Sequence, residues 1–216
     1  MKVNDFKSLR DLHEYYAIHN KCGLRKTATQ PVYECSIPSS GIVFIGEAPG
    51  VNEDKTGEPF IGKAGKLLDE LLDSISFSRN DVYVTNVVKY RPPQNRDPLP
   101  EEKSACRIWL NAELLFLKPK VIVPLGRHAL ERFVPDGRIS ASHGQILEHR
   151  SGIPIFAMYH PAAALYNPDL VEELLKDFKR LKMFLEGKIK IKESPPQRDR
   201  TFSKEKQILI DDLTSL

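Results

Sequence analysis

The stretch Gly41-Ile-Val-Phe-Ile-Gly46 decides the fold: four large apolar residues in a row, closed off by glycine at each end, read as a short strand buried on both faces, as in a parallel sheet. A glycine-rich loop follows it. On its amino side, residues 4 to 18 carry Phe6, Leu9, Leu12 and Tyr16 at helical intervals and predict an amphipathic helix. On its carboxyl side, residues 64 to 75 (AGKLLDELLDSI) repeat leucine at helical spacing, and Asp81-Val-Tyr-Val-Thr-Asn86 returns to a β-branched and aromatic strand pattern. The long polar loop YRPPQNRDPLP leads to a helix from about Pro100, where proline suits the first helical position. Lys120-Val-Ile-Val-Pro-Leu125, a short helix near residues 127 to 133, Ile153-Pro-Ile-Phe-Ala-Met-Tyr159 and a helix over residues 169 to 186 complete the alternation. The expected architecture is α/β, a three-layer αβα arrangement around a mainly parallel four-stranded sheet.

With 216 residues and 41% hydrophobic content the chain can bury a full core as one domain, expected over residues 1 to 187. Residues 188 to 216 turn charged and proline-containing and read as a flexible tail. A net charge of +3 permits nucleic-acid binding without demanding it. No run approaches the roughly 18 apolar residues of a membrane span, and MKVNDFKSLRDLHEYY lacks the apolar core of a signal peptide. A cytoplasmic monomer is expected. The odd, widely spaced Cys22, Cys35 and Cys106 fit reduced thiols better than a disulfide framework.

In open parallel sheets ligands bind beyond the carboxyl ends of the strands. The first strand leaves through Gly46-Glu-Ala-Pro-Gly50, the second through Thr85-Asn-Val-Val-Lys89, the fourth through Tyr159-His-Pro-Ala-Ala163. A carboxylate, an amide and an imidazole thus converge on one edge. An amide sets a donor beside an acceptor, and an imidazole can stabilise developing negative charge, so the set can read a polar ring. The glycine loop matches neither the P-loop nor the dinucleotide fingerprint, so phosphate and hydride transfer lack their markers.

The strings GEAPGVNEDKTGEPFIGKAGKLLDELL, VYVTNVVKYRPPQNRDPLPEE and YHPAAALYNP resemble, in order, the three signature blocks of family 4 uracil-DNA glycosylases, with a likeness running from about residue 6 to 186. The resemblance implies that Asn86 recognises uracil, that Phe60 stacks on the flipped base and that Glu53 crowds its C5 position against thymine. It implies that His160 stabilises the leaving anion at O2. Ala48 stands where other branches of the superfamily place a water-positioning aspartate or asparagine; the nearest carboxylate, Glu47, either touches that water or caps the loop. Leu165 is the expected minor-groove wedge, with the buried face of the next helix as its alternative. Asn95 and Arg96 would order the polar loop or meet phosphate, with Lys89, Arg91 and Arg127 as further phosphate contacts. His128, His143 and His149 carry no distinguishing motif.

Family 4 members hold a [4Fe–4S] cluster on four cysteines. Here Cys22 and Cys106 match, while His19 and Tyr90 stand at the other two positions and Cys35 lies outside the pattern. Two thiolates do not supply the ligands of a cubane, so no cofactor is expected, with Tyr90 filling the volume. The expected function is removal of uracil from DNA by hydrolysis of the N-glycosidic bond, the opening step of base-excision repair. The alternatives are a glycosylase for another deaminated base and a non-catalytic DNA-binding relative. In the tail, Gln207-Ile-Leu-Ile210-Asp-Asp-Leu213 faintly resembles a sliding-clamp-binding string, or is a short helix with no partner.

Overall fold

A computed structural model describes residues 5–189; residues 190–216, with the clamp-like string, lie outside the described residues. Helix α1 (Leu9–His19) starts where the Ser8 hydroxyl accepts the Asp11 N–H at 3.1 Å, an ordinary N-cap. Strand β1 (Ile42–Gly46) is buried throughout. It is followed by α2 (Val51–Thr56), α3 (Lys63–Asp73), β2 (Tyr83–Asn86), α4 (Pro100–Leu117) and β3 (Val121–Pro124). After these come α5 (Gly126–Phe133), α6 (Ile139–Ser142), β4 (Ile146–Leu147), β5 (Ile155–Phe156), α7 (Pro161–Ala164) and α8 (Asp169–Leu185).

The strands line up in the order β2-β1-β3-β5-β4, parallel except for β4, which runs against β5. Alternation along β1 divides the core. Val43 and Ile45 face a layer built from α1, α4 and α5 through Leu12, Trp109 and Phe133. Ile42 and Phe44 face the other layer, built from α3, α7 and α8 through Leu68, Ala164 and Phe178. In α8, Leu174, Phe178 and Leu181 recur at helical spacing and are buried, each contributing about 1.5–3 kcal/mol by leaving water. The three-layer αβα expectation therefore holds.

The sheet has five strands rather than four. The extra one, β4, is two half-exposed residues between α6 and β5, too short for any alternation to show. Within the fourth expected strand only Ile155 and Phe156 join the ladder, with a further bridge at Met158. The glycine-rich loop after β1 holds a short helix. Gly50 opens α2, and Gly57, at φ 81°, ends it in the left-handed conformation that glycine adopts without strain. The segment 161–167 begins as α7, with proline at its start. No helix among the described residues is long and apolar enough to cross a membrane.

Candidate active site

The carboxyl ends of β1 and β2 and the segment after β5 open on one cavity of about 450 Å³. It is lined by Glu47, Ala48, Glu53, Phe60, Asn86, Asn95, Arg96 and His160. Lys63 and Asn52 line it as well. Sequence reasoning missed both, because each falls in the stretch read as a glycine-rich loop and carries no spacing that sets it apart.

Gly46 ends β1 in register with Asn86 at the end of β2. A methyl group on Gly46 would stand 2.5 Å from Asn86 Oδ1 and 2.5 Å from Phe60 Cζ. Glycine is required here because the amide and the ring both close over its backbone. Asn86 is 2% exposed, and its Oδ1 is buried with no hydrogen-bond partner. A buried carbonyl oxygen left unmatched costs about 1–3 kcal/mol, a cost that a bound N–H removes. Gly46→Ala is therefore expected to displace both side chains and to slow the reaction of this cavity by about 100-fold, in single-turnover assays on protein that still melts cooperatively.

Phe60 is held in the left-handed backbone region at φ 55°, an uncommon conformation for a bulky residue. Arg79 stabilises it. Its Nη2 donates to the Phe60 carbonyl at 3.0 Å and to the Gly65 carbonyl at 3.3 Å, and its Nε donates to Asp69 at 2.8 Å. Gly65 permits this approach, since a side chain there would collide with the Phe60 carbonyl. The ring stacks against His160 with centroids 5.5 Å apart and planes at 25°. Phe60 is thus both the core aromatic and the cavity wall.

His160 caps α7 with its Nδ1, which accepts the Ala162 N–H at 3.0 Å. That bond leaves the ring proton on Nε2. Burial pushes its pKa down from 6.5 to about 4, so the ring is neutral at physiological pH. Glu53 accepts from the Gly50 N–H at 3.2 Å and the Gly62 N–H at 2.8 Å, joining the two glycine turns of the cavity wall. Glu47 faces His128 instead of capping its own loop, with Oε2 3.8 Å from His128 Nε2. Burial raises the Glu47 pKa, and His128 partly opposes the rise.

The matching family model is that of the uracil DNA glycosylase superfamily, over residues 33–185. The chain belongs to that superfamily. It is 44% identical over 183 residues to a type-4 uracil-DNA glycosylase of Archaeoglobus fulgidus, covering 81% of this chain and 92% of the relative. It is 41% identical over 168 residues to a type-4 uracil-DNA glycosylase of Thermotoga maritima, covering 76% and 88%. A type-5 uracil-DNA glycosylase of Thermus thermophilus shares 34% identity over 151 residues, covering 61% and 68%.

In this superfamily member the cavity rim mixes ordered and free groups. Arg96 grips Glu102 with both guanidinium nitrogens, at 2.8 and 2.6 Å, and so orders the polar loop. Asn95, at φ 56°, accepts from Arg91 Nε at 2.7 Å. Arg127 pairs with Asp97, which also lies 3.1 Å from His128 Nε2. Leu165 is 44% exposed at the end of α7, which rules out the buried-face alternative, and its neighbour Tyr166 is 91% exposed. His143 is satisfied by Asp177 at 3.0 Å. Lys89 corrects the sequence reading. It is 1% exposed and paired with Glu113 at 2.6 Å, so it cannot reach a phosphate.

Cys22 and Cys106 are both buried. The Cys22 thiol donates to the Glu102 carbonyl at 3.8 Å, and the proximity of the two sulfurs raises the pKa of Cys22 and draws that of Cys106 down to about 7. Tyr90 is buried against Tyr16, with ring centroids 5.7 Å apart. Tyr16 in turn meets Trp109 edge-on at 4.9 Å and lies with its hydroxyl 3.8 Å from the Cys106 sulfur. Burial holds the Tyr90 hydroxyl protonated, with its pKa raised to about 12. His19 is exposed and stacked on Tyr15 at 3.7 Å, with Nδ1 bonded to the Tyr15 carbonyl. Two thiols and a neutral phenol do not supply four soft anionic ligands, so these residues do not fit a [4Fe–4S] cluster. Cys35 lies apart from them, its sulfur 3.8 Å from His13 Nδ1.

Proposed function

We propose that this chain is a uracil-DNA glycosylase of the type-4 branch, hydrolysing the bond between uracil and deoxyribose in DNA to leave an abasic site for base-excision repair. The observation that carries the reading is the buried, unpartnered Asn86 Oδ1 in a cavity walled by Phe60 and a neutral His160.

Uracil offers an N3–H donor beside its O4 acceptor, the complement of an amide edge. Asn86 Oδ1 accepts from N3–H and its nitrogen donates to O4. Cytosine presents the reverse pattern, at a cost of about 1–3 kcal/mol for each unmade bond. Phe60 stacks on the extruded base. As the N1–C1′ bond breaks, negative charge spreads onto O2, where His160 Nε2–H donates to it. A neutral donor suits this role because it strengthens with the developing charge and carries no prior desolvated charge of its own. Water attacks C1′, the electrons of the broken bond leave with N1, and Glu47, made more basic by burial, takes the water proton. Leu165 fills the space left in the duplex.

A pH profile follows from His160. Its pKa is lowered from 6.5 to about 4, so the neutral donor is fully present above that value and lost only as pH falls through it. Excision rates are expected to show no step at 6.5. The same shift makes the unfolded chain bind the extra proton first, so His160 lowers stability progressively as pH falls from 6.5 towards 4. A single-turnover rate that halves near pH 6.5 would contradict a neutral donor.

The direct test is excision from an oligonucleotide carrying one uracil, by wild-type protein and by Asn86→Ala and His160→Ala. Alkali-labile scission impaired in both variants supports the reading. Binding to intact DNA without scission by the wild type would instead establish a non-catalytic relative.

A further inference from the structure

The cavity chemistry leaves Lys89 without a task, yet it is buried at the mouth of β2, three residues past Asn86. Its ammonium group donates to the Thr85 hydroxyl at 2.5 Å, to the Asn86 backbone carbonyl at 2.9 Å and to Glu113 Oε2 at 2.6 Å. All three hydrogens of the ammonium are thereby used. Glu113, on α4 and 1% exposed, also accepts from Thr85 at 3.1 Å, and its other oxygen lies 2.8 Å from His13 Nε2 on α1. Burial favours the neutral form of Glu113, but Lys89 and His13 outweigh it and keep its pKa below the usual range.

A buried ion pair of this kind gives little net stability over apolar residues of the same volume, so stability alone does not account for it. Its geometry has a more specific result. The peptide group joining Asn86 to Val87 is held on one side by the sheet, where the Val87 N–H donates to the Gly46 carbonyl at 2.9 Å. On the other side its carbonyl is held by Lys89. The backbone that aims the Asn86 amide is therefore gripped at both ends of one peptide unit.

We propose that Lys89 is a positioning residue for base selection: through the Asn86 carbonyl it fixes the orientation of the amide that reads the base, with Glu113 and His13 holding the ammonium in place. This rests on the reading of Asn86 as the contact to uracil. Lys89 touches neither base nor water and acts only through Asn86.

The test is a double-mutant cycle. Lys89→Met is combined with Glu113→Gln, so that no unpaired charge is left buried, and the pair is made with and without Asn86→Ala. Inhibition by free uracil, single-turnover excision and affinity for abasic DNA are measured on cooperatively melting protein. With Asn86 present, the pair is expected to weaken uracil inhibition and slow excision by about tenfold while leaving abasic-DNA affinity unchanged. With Asn86→Ala already in place it should cost nothing further. Additive losses, or wild-type uracil inhibition in the folded pair, would overturn the proposal. If Asn86→Ala by itself leaves uracil inhibition intact, the reading of Asn86 fails instead, which is a distinguishable result. Thr85→Val removes one of the three acceptors of the Lys89 ammonium and leaves its charge partner Glu113 in place, so it should give a smaller loss in the same cycle even if the paired variant does not fold.

Discussion

Asn86→Ala is expected to cut single-turnover excision of uracil by about 10³-fold, the largest effect of any single change in the cavity. The side chain is 2% exposed and its oxygen has no protein partner, so under the proposed reading the base supplies the N–H it lacks. Truncation removes two hydrogen bonds from a water-poor pocket and leaves uracil's N3–H and O4 facing methyl and ring carbons. The loss falls on binding as well as on chemistry, because the same edge is read before and after the bond breaks. Free uracil should therefore inhibit the variant far more weakly than the wild type. A variant with unchanged uracil inhibition would show that the base sits elsewhere.

His160→Ala is expected to lower the excision rate by about 10²-fold with a smaller effect on DNA affinity, because the donor acts where charge develops. One structural feature makes this separable from misfolding. The ring caps α7, a four-residue helix, through one bond to the Ala162 N–H, and its removal costs about 1 kcal/mol of capping. His160→Asn is informative beside it, since asparagine retains N-cap ability while losing the Nε2–H position. Normal melting with the slow rate of the alanine variant would place the loss in the chemistry. Rates near wild type in both variants would remove His160 from the mechanism.

The sheet was legible because a run such as Ile42–Ile45 has one good use, burial on both faces, and because the residue after each strand is forced to the ligand edge. Asn86 and His160 could be found for the same reason: their positions follow from where strands end. Lys89 was misread because a lysine between valines and a proline-rich loop looks solvated, while the partner that buries it, Glu113, lies 24 residues further on in α4. The facing of Glu47 and His128 was equally hidden, since it depends on α5 starting directly after β3, beneath the loop after β1. Phe60 was identified as a ring in a glycine-rich loop, but nothing in the sequence signals that Arg79 clamps its carbonyl in a left-handed turn. Local pattern thus located the groups that line the cavity. The groups that hold them required tertiary contacts.

Trp109 is the only tryptophan in the sequence, and it is 4% exposed on α4, packed against Tyr16 of α1 and away from the residues lining the cavity. Its emission is therefore an optical reporter of one helical layer. Loosening of α1 from α4 should red-shift the fluorescence as the indole meets water, whereas occupation of the uracil cavity should leave the spectrum nearly still. Local opening on that side and base capture on the other can then be followed in a single cuvette, without a label.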